Sequence, residues 1–270
     1  MCQGDPNCTC NLISEVRAQR DQELLNKKYV RACVEDDENT RVARDDYACN
    51  PSFENAMALG NALAFQMRYH EAIECFKCAV EIDPSSYIAR RKLAGRYLTT
   101  LQLDKAEKGY EWCIEHAQDL LDPLYMYGLV KYYRGDFESA KDYFCKAYEL
   151  ATNDVDMSVA SLFWAVACDV QLYREPTHLK FFDKSVTVGH HTGYYYALRL
   201  FAGDDFAECD VIDTQDELQY SIFTFGVHLF YKHKDNTFLS DVFLSSTLKM
   251  DKYFSSFAYL AAYLEYKKIA

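Results

Sequence analysis

Ala72-Ile73-Glu74-Cys75-Phe76-Lys77-Cys78-Ala79 recurs in kind at Ala106-Glu107-Lys108-Gly109-Tyr110-Glu111-Trp112-Cys113 and at Ala140-Lys141-Asp142-Tyr143-Phe144-Cys145-Lys146-Ala147, each copy 34 residues after the last. In every copy an alanine opens the block, an aromatic ring follows four positions on (Phe76, Tyr110, Phe144), and a small residue closes it (Ala79, Cys113, Ala147). Gly60, Ala94 and Gly128 keep the same step upstream. Four size classes in phase three times over define an internal repeat. Within one unit Leu59, Leu63 and Phe65 to Met67 precede Ala72, Phe76, Ala79 and Val80 at spacings of three and four, which is the pattern of two amphipathic helices. The small residue inside the first helix and the alanine opening the second let the backbones close up. The aromatic ring then fills the space between hairpins.

Punctuation agrees with this phase. Asp83-Pro84 ends one unit, because proline disfavours a helical residue before it. Asp122-Pro123 reads as an N-cap followed by proline at the first helical position, and Gly135-Asp136 as a left-handed stop followed by the next cap.

These residues resemble the tetratricopeptide repeat family, with Asn55 to Pro84 fitting its pattern best. The fold class this implies is all-α, a right-handed α-solenoid of tetratricopeptide-like helical hairpins. Residues 51–190 hold the repeats, as units 53–86, 87–120 and 121–154 and a degenerate unit 155–190 with an insertion near Pro176. Thr247-Leu248-Lys249-Met250-Asp251 echoes Ala79-Val80-Glu81-Ile82-Asp83, so 191–270 reads as degenerate C-terminal repeats and a capping helix over 255–270 that covers the last hairpin. Tyr194 to Ala202 fits a short helix, and the residues after it have an irregular pattern. Residues 1–50 form a charged N-terminal extension. Its nine acidic and seven basic side chains from Glu15 to Asp46 read as capping helices with a break at Asp36-Asp37-Glu38-Asn39.

The resemblance also implies a function. In this family the first helices of successive hairpins line a concave groove for a partner's peptide or helix. Carried onto this chain, the groove comprises Met57, Asn61 and Ala64, then Arg91, Gly95 and Leu98, then Tyr125, Leu129 and Tyr132, with Phe163 extending it. Ordinary hairpin packing competes as a reading of each apolar member. Family members that clamp the acidic C-terminus of cytosolic chaperones use Lys, Asn, Asn, Lys and Arg at five groove positions. Here those positions hold Met57, Asn61, Lys92, Tyr125 and Leu129, and only Asn61 fits. An apolar or aromatic ligand segment suits this groove better.

Composition narrows the field further. The chain has 270 residues, half of them hydrophobic, with 41 acidic against 29 basic side chains and a formal charge of −12. That balance argues against nucleic acid as a partner, since phosphate binding needs clustered Lys and Arg. No apolar run reaches the length of a membrane span, and the start lacks a secretory pattern, so a cytoplasmic location is expected. Eleven cysteines then read as reduced thiols. Cys2, Cys8 and Cys10 lack a second ligand pair, and Cys75 and Cys78 sit inside a helix, so no metal site is assigned. The acidic run from Asp204 to Glu217 reads as a solvated loop before it reads as a cation or basic-peptide site. No HExxH, GxSxG or glycine-rich phosphate loop occurs, so no catalytic residue or cofactor is assigned and an enzyme is not expected. The expected role is a non-catalytic protein-protein interaction scaffold or adaptor. The alternatives are a peptide-sensing regulator and a chaperone for an apolar secreted partner.

Overall fold

The computed structural model describes residues 35–269 apart from Asp210 and Asp251, so the Cys2, Cys8 and Cys10 trio and most of the N-terminal extension lie outside the described residues. Among the described residues the elements are all helical: α1 (Glu38–Cys49), α2 (Phe53–Phe65), α3 (Tyr69–Ile82), α4 (Tyr87–Thr99), α5 (Leu103–His116), α6 (Leu121–Arg134), α7 (Phe137–Leu150) and α8 (Val155–Gln171). A 3-10 turn (Thr177–Phe181) comes next, then α9 (Thr192–Phe201), the one-turn α10 (Phe206–Cys209), α11 (Glu217–His233), α12 (Thr237–Lys249) and α13 (Phe257–Ile269). Among the described residues no helix is long and apolar enough to cross a membrane.

Two compact units are present, one up to Gly109 together with Lys267 and the residues after it, the other spanning Tyr110–Tyr266. In the first, α1 begins within Asp36-Asp37-Glu38-Asn39, and what precedes residue 35 lies outside the described residues. The Asp37 carboxylate caps α1 by accepting the Thr40 N–H at 2.8 Å. Asp36 is gripped by Arg44 and by the buried Arg68, and the Arg44 guanidinium does most to hold its carboxyl down to about 2. Behind this the α2–α3 hairpin packs as its sequence implies. A Cβ on Gly60 would come within 2.6 Å of the Phe76 ring, and Leu59, Leu63, Ala72, Phe76 and Ala79 form the core.

The second unit repeats the device, with the Phe144 ring 2.8 Å from where a Cβ on Gly128 would stand. Trp164 is fully buried among Tyr132, Phe144, Phe163, Tyr194 and Phe225, with ring centroids 4.9–6.2 Å away. One cap differs from expectation. Helix α6 starts at Leu121, whose N–H is accepted by Asp119 at 2.9 Å, so Pro123 sits at the third helical position. Its missing N–H is still harmless there, being one of the first four that have no partner within the helix.

A backbone signature extends the repeat beyond its recognisable copies. Helices α2, α4, α6, α8, α9 and α11 each end with a left-handed residue: Met67, Leu101, Gly135, Tyr173, Gly203 and Asp235, with φ between 53° and 92°. After each, an N–H reaches back five residues to a carbonyl: Arg68 to Leu63, Gln102 to Tyr97, Asp136 to Lys131, Arg174 to Asp169, Asp204 to Arg199 and Asn236 to Tyr231, at 2.9–3.1 Å. Helix α9 is therefore a first helix whose partner has shrunk to α10. With no full second helix in the way, α9 packs straight onto α11, where Gly226 abuts Ala197 closely enough that an added Cβ would stand 2.3 Å from the alanine Cβ.

Candidate functional site

The expected groove residues fall into two sets. On α2 and α4, Asn61 is exposed and Ala64 and Arg91 are half-buried, whereas Met57, Gly95 and Leu98 are buried. On α6 and α8, Tyr125, Leu129, Tyr132 and Phe163 are all within 5% of full burial, and burial pushes the Tyr125 and Tyr132 phenols well above their ordinary value. These four belong to the packed interior.

The physical reason on the α6 side is α13. Its first residue, Phe257, meets the Tyr125 ring edge-on at 6.3 Å, and the Tyr133 hydroxyl donates to the Phe257 carbonyl at 3.0 Å. Two turns later Glu265 enters a polar cluster supplied by three other helices. The Gln171 side-chain amide donates to Glu265 at 2.6 Å and to the Tyr132 hydroxyl at 3.2 Å, and its carbonyl accepts from Lys232 at 2.9 Å. Lys232 also pairs with Glu265, and His228 Nε2 lies 3.3 Å from the same carboxylate. Burial by itself would raise the Glu265 carboxyl, but His228 and Lys232 outweigh it and hold it well below the usual carboxylate range. The final helix thus lies against α6, α8 and α11.

A second cluster was not legible as a spacing. Cys145 Sγ on α7 lies 3.3 Å from His178 Nε2, and His178 Nδ1 faces the buried Asp169 carboxylate at 4.0 Å. The other carboxylate oxygen of Asp169 accepts from Lys141 at 2.5 Å. The order thiol, imidazole, carboxylate is that of a nucleophile with its base. Burial works against thiolate formation there, pushing the Cys145 thiol up to about 11 and the His178 imidazole down. Cys75 is likewise pushed up to about 11 by burial in α3. In the acidic run, Asp204 is held between Lys184 and Arg199, and Asp216 caps α11 by accepting the Gln219 N–H at 3.2 Å. Those two acids serve local structure.

The tetratricopeptide repeat family model matches residues 54–86 and 121–154, which are the α2–α3 and α6–α7 hairpins. None of the curated proteins matches the chain. Among solved structures, a crystal structure of YrrB, described as a TPR protein with an unusual peptide-binding site, is similar over 80% of this chain and 96% of its own, at 15% identity and a TM-score of 0.44.

Proposed function

We propose that this chain, a tetratricopeptide-repeat protein, is a non-catalytic interaction scaffold that holds a partner's apolar or aromatic segment on the first helices of its N-terminal unit. One observation carries the reading. Phe65 at the end of α2 is 85% exposed, although one repeat period separates it from Thr99 and two from Tyr133, which is buried and hydrogen-bonded to α13. By the same register Met57 corresponds to Tyr125 and Ala64 to Tyr132, so the α2 positions match those that hold a helix in the other unit. A large exposed aromatic next to Ala64 and the exposed Asn61 offers one apolar anchor and one amide, the mixture that suits a peptide segment. Occupancy of the α6, α8 and α11 faces by α13 supports assigning the partner to α2 and α4. Asn61, Ala64 and Arg91 are its proposed polar and small contacts, while Tyr125, Leu129 and Tyr132 are proposed to touch the chain's own final helix.

A photo-cross-linking residue at position 65 tests this directly in the native host. Adducts to one protein from position 65, lost in the Asn61→Ala background and absent from a probe at Glu149 on α7, are expected. Phe65→Ala should abolish affinity pull-down of the same protein with an unchanged melt, whereas Tyr125→Ala should lower stability by about 3 kcal/mol or more through the cavity it leaves. Equal adducts from both probe positions would refute the assignment.

A further inference from the structure

We propose that Asp156, His190 and His191 form a binding site for a divalent transition-metal ion of the kind that takes imidazole nitrogen, such as Zn2+ or Co2+. The three residues join the start of α8 to the end of the long connection that precedes α9, all within the second unit. One ligand atom from each lies within 4.8 Å of the others. Asp156 Oδ2 and His190 Nδ1 are 3.5 Å apart, close to the edge of about 3.4 Å expected for two ligands around a tetrahedral ion with bonds of about 2.0–2.1 Å.

The supporting groups are already in place. The Asp156 carboxylate accepts backbone N–H groups from His190 and His191 on Oδ1, at 3.0 and 2.8 Å, and from Gly189 on Oδ2 at 3.0 Å. Four lone-pair positions receive three donors, which leaves one on Oδ2, the oxygen facing His190. Gly189 makes this approach feasible, because a Cβ there would stand 2.9 Å from Oδ2. His191 Nδ1 lies 2.7 Å from the Asp156 backbone carbonyl, so that nitrogen carries the hydrogen and donates it. Nε2 is left with its lone pair. Metal-ligating histidines are commonly fixed in this way, the second nitrogen donating to a carbonyl or carboxylate.

Two imidazoles with one carboxylate suit zinc or cobalt, whereas calcium and magnesium call for oxygen throughout. A bound ion would clamp the segment before α9 onto α8.

The test titrates Co2+ into the full chain after chelator treatment and dialysis, following the visible d–d bands, with Zn2+ competition and melting curves alongside. One equivalent should bind without the near-ultraviolet charge transfer that thiolate ligation produces. Two variants remove ligands without removing the scaffold. His190→Ala deletes a ring that is 75% exposed, and His191→Asn keeps an N–H for the Asp156 carbonyl while losing Nε2. Each should weaken Co2+ binding by about tenfold or more while leaving the metal-free melt unchanged. Absence of binding by the parent, thiolate charge transfer, or parental affinity in either variant would overturn the site.

Discussion

Tyr173 occupies a turn position that two of the other five first helices give to glycine, and it adopts a φ of 55° there. A side chain in the left-handed region costs about 1–2 kcal/mol, against about 0.5–1 kcal/mol of extra chain entropy that a glycine loses on folding. The Tyr173 ring is 85% exposed, so its removal forfeits little packing and the strain decides the sign. Tyr173→Gly should therefore stabilise the protein by about 0.5–1 kcal/mol, read as a higher urea midpoint at constant slope. A lower midpoint would mean that the ring has a packing role. The same position explains what the sequence could not disclose. With Met67, Leu101, Tyr173 and Asp235 at these turns, only Gly135 and Gly203 advertise the left-handed stop. Ala72, Phe76 and Gly60 were legible because size complementarity at a helix crossing tolerates few residue types. Groove lining was not, because Tyr125 and Leu129 satisfy a groove and a core equally well.

Helix α13 shows the corresponding limit for an element. Apolar spacing at Phe257, Leu260, Ala261 and Leu264 announces a helix with one buried stripe, but spacing along one helix carries no address for its partner. The address is polar. Glu265 can be satisfied only where Lys232, Gln171 and His228 converge, so the cluster sets the register of α13 on α8 and α11. Glu265→Gln keeps the shape and some hydrogen bonding but leaves Lys232 without its counter-charge. Lys232 is 21% exposed and regains some solvation, which reduces the usual penalty for breaking a buried pair to about 2 kcal/mol at pH 7. Chemical denaturation of the two proteins measures this. The Glu265 carboxyl lies below its ordinary value of 4.5, so its contribution is complete above that pH and is lost as acid protonates the folded state. The gap between parent and variant must then narrow below about pH 4.5. A gap independent of pH down to 3 would show that shape, and not charge, holds α13. Helix α10 failed to register in the sequence for a different reason: a single turn has too few residues to display a period, although the α9 turn before it keeps the repeat's backbone signature.

Over the whole molecule, two effects of acid oppose one another. Lowering the pH from 7 toward the isoelectric point near 5.0 relieves the self-repulsion of a chain carrying −12, which favours the compact state. Proton linkage acts the other way. Every carboxylate with a resolved shift among the described residues is lowered, by ionic partners at Asp36 and Asp204, by N–H and hydroxyl donors at Asp37, Asp83 and Asp183, and despite burial at Asp156 and Glu265. Burial also lowers His178 and His191 below 6.5. For each depressed group the unfolded chain binds protons first, so the stability it contributes is present above the unfolded value and lost as pH falls through the folded one. The two histidines place the first loss below about pH 6.5, and the carboxylates place a second and larger one below about pH 4.5. Charge relief spreads over exposed side chains screened by salt, whereas the linked groups sit in fixed geometry, so linkage prevails. The urea midpoint should be highest near neutral pH, fall modestly by pH 5.5 and fall steeply between pH 4.5 and 3. A midpoint that rises from pH 7 to 5 at physiological salt would show that repulsion dominates and that the linked acids matter less than their geometry implies.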